Sequence, residues 1–132
     1  MFFSIKISKF IFLCGDVETH PGDTFDFCLW NCNSLSAHDF NRVSLIETYN
    51  SIRNLKIIAL PETALKPSMD NSNIEIPGFS IIRSDLPVGH SHGGVMLYYK
   101  NDLAIKHRDD LQLHSNIIVV EITISKKKYF LS

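Results

Sequence analysis

The chain has 132 residues, 45% of them hydrophobic and 20% charged, which is long enough for one domain and too apolar for an intrinsically disordered segment. Thirteen basic side chains stand against fourteen acidic ones, so bulk charge gives no basis for nucleic-acid binding and any DNA contact has to be local. Three cysteines, Cys14, Cys28 and Cys32, make no closed disulfide set and favour a reducing compartment, nucleus or cytoplasm.

Residues 1–13 form an apolar run broken by Lys6 and Lys9. It is too short and too charged for a stable membrane span. A secretory signal over residues 1–14 is the alternative, against which its basic residues lie inside the apolar run and no clean small-residue cleavage site follows. The run is read as a leader. It continues into Cys14-Gly15-Asp16-Val17-Glu18-Thr19-His20-Pro21-Gly22-Asp23, whose Pro-Gly turn separates residues 1–23 from a domain over 24–132.

From Thr24 the pattern is strand, helix, strand. Phe25, Phe27 and Leu29 alternate with Asp26, Cys28 and Trp30, the period of a strand that ends at Asn31 and Asn33. Phe40, Val43, Ile46, Tyr49 and Ile52 predict an amphipathic helix within residues 36–55. Ile57-Ile58-Ala59-Leu60 then reads as a short strand buried on both faces and leading to Glu62. This crossover unit makes the two strands parallel, and ligands of open parallel sheets gather at the strands' carboxyl ends. Asn31, Asn33 and Glu62 are therefore expected to converge. Further strands are expected at residues 78–84, 94–100, 103–107, 116–124 and 129–131, with a turn at Lys126-Lys127-Lys128.

Each site residue has a plainer reading. A strand-end Glu is commonly a solvated carboxylate, Asn31 and Asn33 suit turns and caps, and Trp30, Tyr98 and Tyr99 suit a core. A zinc module from Cys28, Cys32, His90 and His92 lacks the compact spacing such modules have.

Three segments carry a resemblance: Leu29-Trp30-Asn31-Cys32-Asn33-Ser34-Leu35, Ile57-Ile58-Ala59-Leu60-Pro61-Glu62-Thr63 and Gly93-Gly94-Val95-Met96-Leu97-Tyr98-Tyr99-Lys100. In order and spacing they resemble the endonuclease/exonuclease/phosphatase family, and most closely the amino-terminal endonuclease of non-long-terminal-repeat retrotransposons. Residues 14–23 resemble the ribosome-skipping peptides of some such elements, with His20 and Asp23 departing from the family's Asn and final Pro. The resemblance implies the first half of a four-layer α/β sandwich of the deoxyribonuclease I type, a mixed sheet with one main helix.

It also implies a magnesium-dependent endonuclease that nicks DNA. Glu62 would be the metal ligand, Asn31 a catalytic and phosphate-holding residue, and Asn33 a second polar contact to phosphate. The family's later motifs, including its general base, have no counterpart before Ser132. The first expectation is accordingly a truncated, inactive relic. The alternatives are the first part of an active retrotransposon endonuclease and a non-catalytic magnesium- or phosphate-binding module. DNA is the expected partner of a complete domain. A half-domain would leave the inner face of its sheet uncovered and prone to self-association.

Overall fold

The computed structural model describes residues 2–15, 27–86, 89–90, 92–112 and 116–123. Two four-stranded sheets and one long helix make up the fold. Strands β1 (Phe2–Ile7), β2 (Phe10–Gly15), β8 (Ile118–Thr123) and β7 (Ala104–His107) form one sheet in the order β1-β2-β8-β7. Strands β3 (Phe27–Leu29), β4 (Ile57–Pro61), β6 (Val95–Lys100) and β5 (Phe79–Ser84) form the other in the order β3-β4-β6-β5. Helix α1 (Ala37–Arg53) joins β3 to β4, which run parallel with Phe27 opposite Ile57. The expected crossover unit is present, and the strands expected between residues 78 and 124 appear as β5 to β8.

The continuous apolar run of β4 is explained by its neighbours. All five residues of Ile57–Pro61 are buried because the strand is covered on both faces. Ile58 and Leu60 pack with Val43, Ile46, Leu65, Ile74, Met96 and Tyr98 on the helix side. Ile57 and Ala59 pack with Ile82, Val95 and Leu97 against Phe10, Phe12, Ile118, Val120 and Ile122 of the facing sheet.

The second cluster corrects an expectation. The inner face of the β3–β6 sheet is covered, and Ile57, Ala59, Val95 and Leu97 are each 0% exposed. Self-association through an uncovered inner face therefore loses its premise. The cover comes partly from residues read as a leader. Phe2–Ile7 and Phe10–Gly15 pair as an antiparallel hairpin, and β2 runs parallel to β8 with Phe10 opposite Ile118. Phe10 is 1% exposed and Phe12 sits edge-to-face on Phe27, at 5.5 Å between ring centroids. The skipping-like residues 16–23 and the expected strand at 129–131, with its lysine turn, lie outside the described residues.

The helix departs from the expected stripe for a geometric reason. Residues spaced by threes fall short of a full turn by about 60° at each step, so a stripe built only of threes winds off one face. Val43 and Ile46 are buried, whereas Tyr49 and Ile52 are exposed at 48% and 77%. His38, Asp39 and Phe40 take left-handed φ values in the first turn, and Asn54 ends the helix in the left-handed region with its N–H on the Asn50 carbonyl at 2.7 Å.

If the hairpin belongs to the core, Phe10→Ala should cost about 3–5 kcal/mol in urea unfolding. A strand outside the cooperative unit would shift the midpoint by less than about 0.5 kcal/mol.

Candidate functional site

Strands β3 and β4 end side by side, and their following loops are joined through the backbone. Trp30 N–H donates to the Ala59 carbonyl at 3.0 Å, Ser34 N–H to Glu62 at 2.8 Å and Leu35 N–H to Thr63 at 2.8 Å. On the other side of the Glu62 loop, Thr63 N–H donates to Gly94 at 3.0 Å and Ala64 N–H to Gly93 at 2.9 Å. The three segments of the sequence resemblance are thereby held together at one end of the sheet.

The loops are conformationally demanding. Asn33, Ser34, Glu62 and Ala64 have φ of 49°, 80°, 61° and 55°, and Gly93 and Gly94 have φ of 117° and 80°. Non-glycine residues held in this region cost about 1–3 kcal/mol each and concentrate at functional sites. Gly94 is required twice over, because a Cβ there would also lie 2.8 Å from Thr63 Oγ1. Thr63 is fully buried and Leu65 N–H points at its hydroxyl at 3.5 Å.

Asn31 and Asn33 are both exposed, and the Asn31 Oδ1 accepts the Asn33 N–H at 3.1 Å in a short side-chain turn. Glu62 is half-buried, and its carboxylate forms an ion pair with Lys9 Nζ. Among the described residues no hydrogen bond links the Asn31 or Asn33 side chain to the Glu62 carboxylate. The backbones converge as expected; the side chains are not bonded to one another.

The sequence alone does not point to Lys9, because residues 1–13 fit a leader pattern. The available signal was the alternation of Phe3, Ile5 and Ile7 with Ser4, Lys6 and Ser8, a strand period that ends in a short polar turn before a second apolar run. Asn116 was also missed. Its Oδ1 is buried, without a hydrogen-bond partner among the described residues, and lies 3.4 Å from where a Cβ on Gly93 would stand.

Cys32 lies beneath this surface, 1% exposed, with Sγ 3.8 Å from the Glu62 carbonyl and 4.0 Å from that of Pro61. Burial pushes its thiol up to about 11 from the ordinary 9.0, and pushes Cys28 up as well. Both are packing thiols. His90 and His92 are exposed, and no group of three or more His, Cys, Asp or Glu side chains is placed to hold a metal ion among the described residues.

Magnesium commonly takes one or two protein carboxylates, its remaining positions being filled by water and substrate phosphate. Glu62 alone would meet that minimum. With the Lys9 ammonium on it, however, the carboxylate is already neutralised, and the donor set as arranged does not fit a resident divalent cation.

An apolar groove of about 310 Å³ lies elsewhere, between β3 and α1, lined by Cys28, Leu29, Trp30, Leu45 and Tyr49 among others. It contains none of the strand-end polar residues.

No protein-family model matches the sequence, and no curated protein matches it. Among solved structures the fold is similar to the crystal structure of the AP endonuclease LMAP from Leishmania major, with a TM-score of 0.57 and 18% sequence identity over 67% of this chain. The matched region spans 29% of the length of that structure. The likeness is one of fold, an α/β sandwich of the deoxyribonuclease I type.

Two results are expected. Gly94→Ala should destabilise the protein by about 2 kcal/mol, and Thr63→Ala should cost less in that background than in the wild type, with a coupling above about 0.5 kcal/mol in urea unfolding. The raised Cys32 thiol contributes stability that is complete below the ordinary thiol range and is lost as pH rises toward about 11, because the unfolded chain ionises first. Between about pH 8 and pH 10.5 the wild type should therefore lose on the order of 1–2 kcal/mol more than Cys32→Ala does.

Proposed function

We propose that the chain carries the strand-end face of a DNA-processing site that recognises the phosphodiester backbone. In this reading Asn31 and Asn33 contact phosphate, and Glu62 stands at the position that the sequence resemblance assigns to a metal-binding carboxylate. The observation that carries it is the backbone lattice joining the loops after β3, β4 and the Gly93-Gly94 turn, on a sheet whose fold is similar to that of an AP endonuclease. The substrate class comes from the sequence resemblance to retrotransposon endonucleases, for which the reaction is a nick in chromosomal DNA.

On its own the chain is expected to bind without cutting. Hydrolysis of a phosphodiester needs charge stabilisation at phosphorus and a base for the attacking water. The named residues offer one carboxylate, and Lys9 occupies it. That ion pair is the specific support for a second reading, a phosphate-binding module without turnover.

Binding and cleavage separate the readings. Purified chain should shift the anisotropy of a labelled duplex in a salt-dependent manner, and Asn31→Ala should weaken that binding about tenfold, the loss expected for one hydrogen bond to a charged group. Supercoiled plasmid should stay closed in magnesium. Binding unaffected by Asn31→Ala and Asn33→Ala would remove the strand-end site from the explanation. Magnesium-dependent nicking lost in Glu62→Gln would establish an active endonuclease in place of the binding module.

A further inference from the structure

We propose that Lys9 is the cationic phosphate contact of the strand-end face, and that Glu62 serves in this chain to hold the Lys9 ammonium there. The inference rests on the reading of that face as a surface for the phosphodiester backbone, and adds to it the charge that the asparagines lack.

Binding to the backbone of duplex DNA draws its strength from cationic side chains that release the counter-ions condensed on phosphate. Asn31 and Asn33 are neutral, and a net charge of −1 supplies no attraction from the molecule as a whole. The cation has to be local. Among the described residues Lys9 is the only lysine or arginine whose side chain is bonded to Asn31, Asn33 or Glu62.

Lys9 is placed by the fold rather than by chance side-chain reach. It sits in the two-residue turn between β1 and β2, where Ser8 takes a left-handed φ of 53°. Its own carbonyl accepts the Ile118 N–H at 3.0 Å, which fixes the turn to the start of β8. The next residue, Phe10, is 1% exposed in the inter-sheet core opposite Ile118. A turn anchored on both sides therefore presents the Lys9 side chain to a carboxylate 53 residues away in sequence. Glu62 is equally constrained, since its carbonyl accepts Ser34 N–H and the following Thr63 N–H is held by Gly94.

The ion pair leaves the ammonium able to meet a ligand. A lysine ammonium carries three donors, and Glu62 Oε1 accepts one of them. The Lys9 and Glu62 side chains are 28% and 31% exposed, so a phosphate reaches the pair from solvent. Holding the lysine in place beforehand lowers the ordering cost that a free surface lysine meets on binding. The carboxylate also balances the ammonium and so damps its pull on an anion. Removing the Glu62 charge while keeping a side-chain oxygen should therefore strengthen DNA binding. A carboxylate that served the phosphate through a cation would give the opposite sign.

Anisotropy titration of a labelled duplex with the whole chain, in EDTA and over a series of sodium chloride concentrations, tests this. Lys9→Met and Lys9→Gln should each bind about tenfold more weakly than the wild type, the loss expected for one hydrogen bond to a charged group. Lys9→Arg should keep the wild-type salt dependence. Lys6→Met, which removes the same charge from an exposed position on β1, should keep it too. Glu62→Gln should bind more tightly than the wild type. Adding Lys9→Met to Glu62→Gln should flatten the slope of log K against log salt by about 0.9, the share of one phosphate contact, in a background with no carboxylate left to unmask. Equal slopes in Glu62→Gln and the double variant, with binding still weakened by Asn31→Ala, would overturn the role of Lys9 and leave the phosphate reading of the face intact. Weaker binding by Glu62→Gln than by the wild type would overturn the role given to Glu62. No duplex binding by any form, in EDTA or in magnesium, would overturn the inference and the phosphate reading together.

Discussion

The backbone hydrogen bonds that join residues 34–35 to 62–63, and 63–64 to 93–94, are the constraint on which the site depends. They satisfy polar groups at the ends of strands whose flanking residues are buried, where an unpaired donor or acceptor would be costly. Satisfying them forces the chain into left-handed conformations at Asn33, Ser34, Glu62 and Ala64. It also leaves no space for a side chain at Gly94, because the buried Thr63 hydroxyl occupies it. Local strain at four positions is sustained by the pairing of three loops, and the pairing in turn fixes where Asn31, Asn33 and Glu62 emerge.

Beneath the lattice, β4 is the element that couples the two halves of the core. Alternate residues face opposite ways, so Ile58 and Leu60 serve the helix layer while Ile57 and Ala59 serve the facing sheet. The facing sheet closes the second layer by inserting β2 beside β8 in a parallel pair, which brings the β1–β2 turn over the carboxyl end of β4. The same packing that buries Phe10 and Phe12 therefore delivers Lys9 to Glu62. Core and site are coupled through four residues of one turn and strand.

The β3–α1–β4 crossover and the convergence of Asn31, Asn33 and Glu62 were legible because they follow from local periodicity and from the handed rules of parallel sheets. The burial of β4 on both faces was legible from its unbroken apolar run. The first hairpin was not, since an apolar segment with interior lysines satisfies a leader pattern as readily as a strand pattern, and its pairing with β8 is a long-range contact that local periodicity does not carry. The helix stripe failed for a smaller reason. Spacing by threes is close to helical over one turn, but it drifts over about three, so Tyr49 and Ile52 turn to solvent. The Lys9–Glu62 contact was invisible for a further reason: it joins residues 53 apart through a turn whose position is set by the inter-sheet core.

The net charge of −1 gives the site no electrostatic field from the molecule as a whole, so its behaviour is set by neighbouring groups. Glu62 is the only one of the three strand-end residues with a formal charge, and the fold supplies that charge with a cation from its own chain. Asn31, Asn33 and Asn116, whose Oδ1 has no hydrogen-bond partner among the described residues, are neutral, and amide groups serve an anionic oxygen or a cation with similar ease. A site composed in this way has no strong intrinsic preference for anion or cation until Lys9 is assigned a position. With the ammonium on Glu62 the one formal charge among these three residues is balanced within the chain, so this end of the sheet presents an ion pair and amide groups to solvent in place of a free carboxylate.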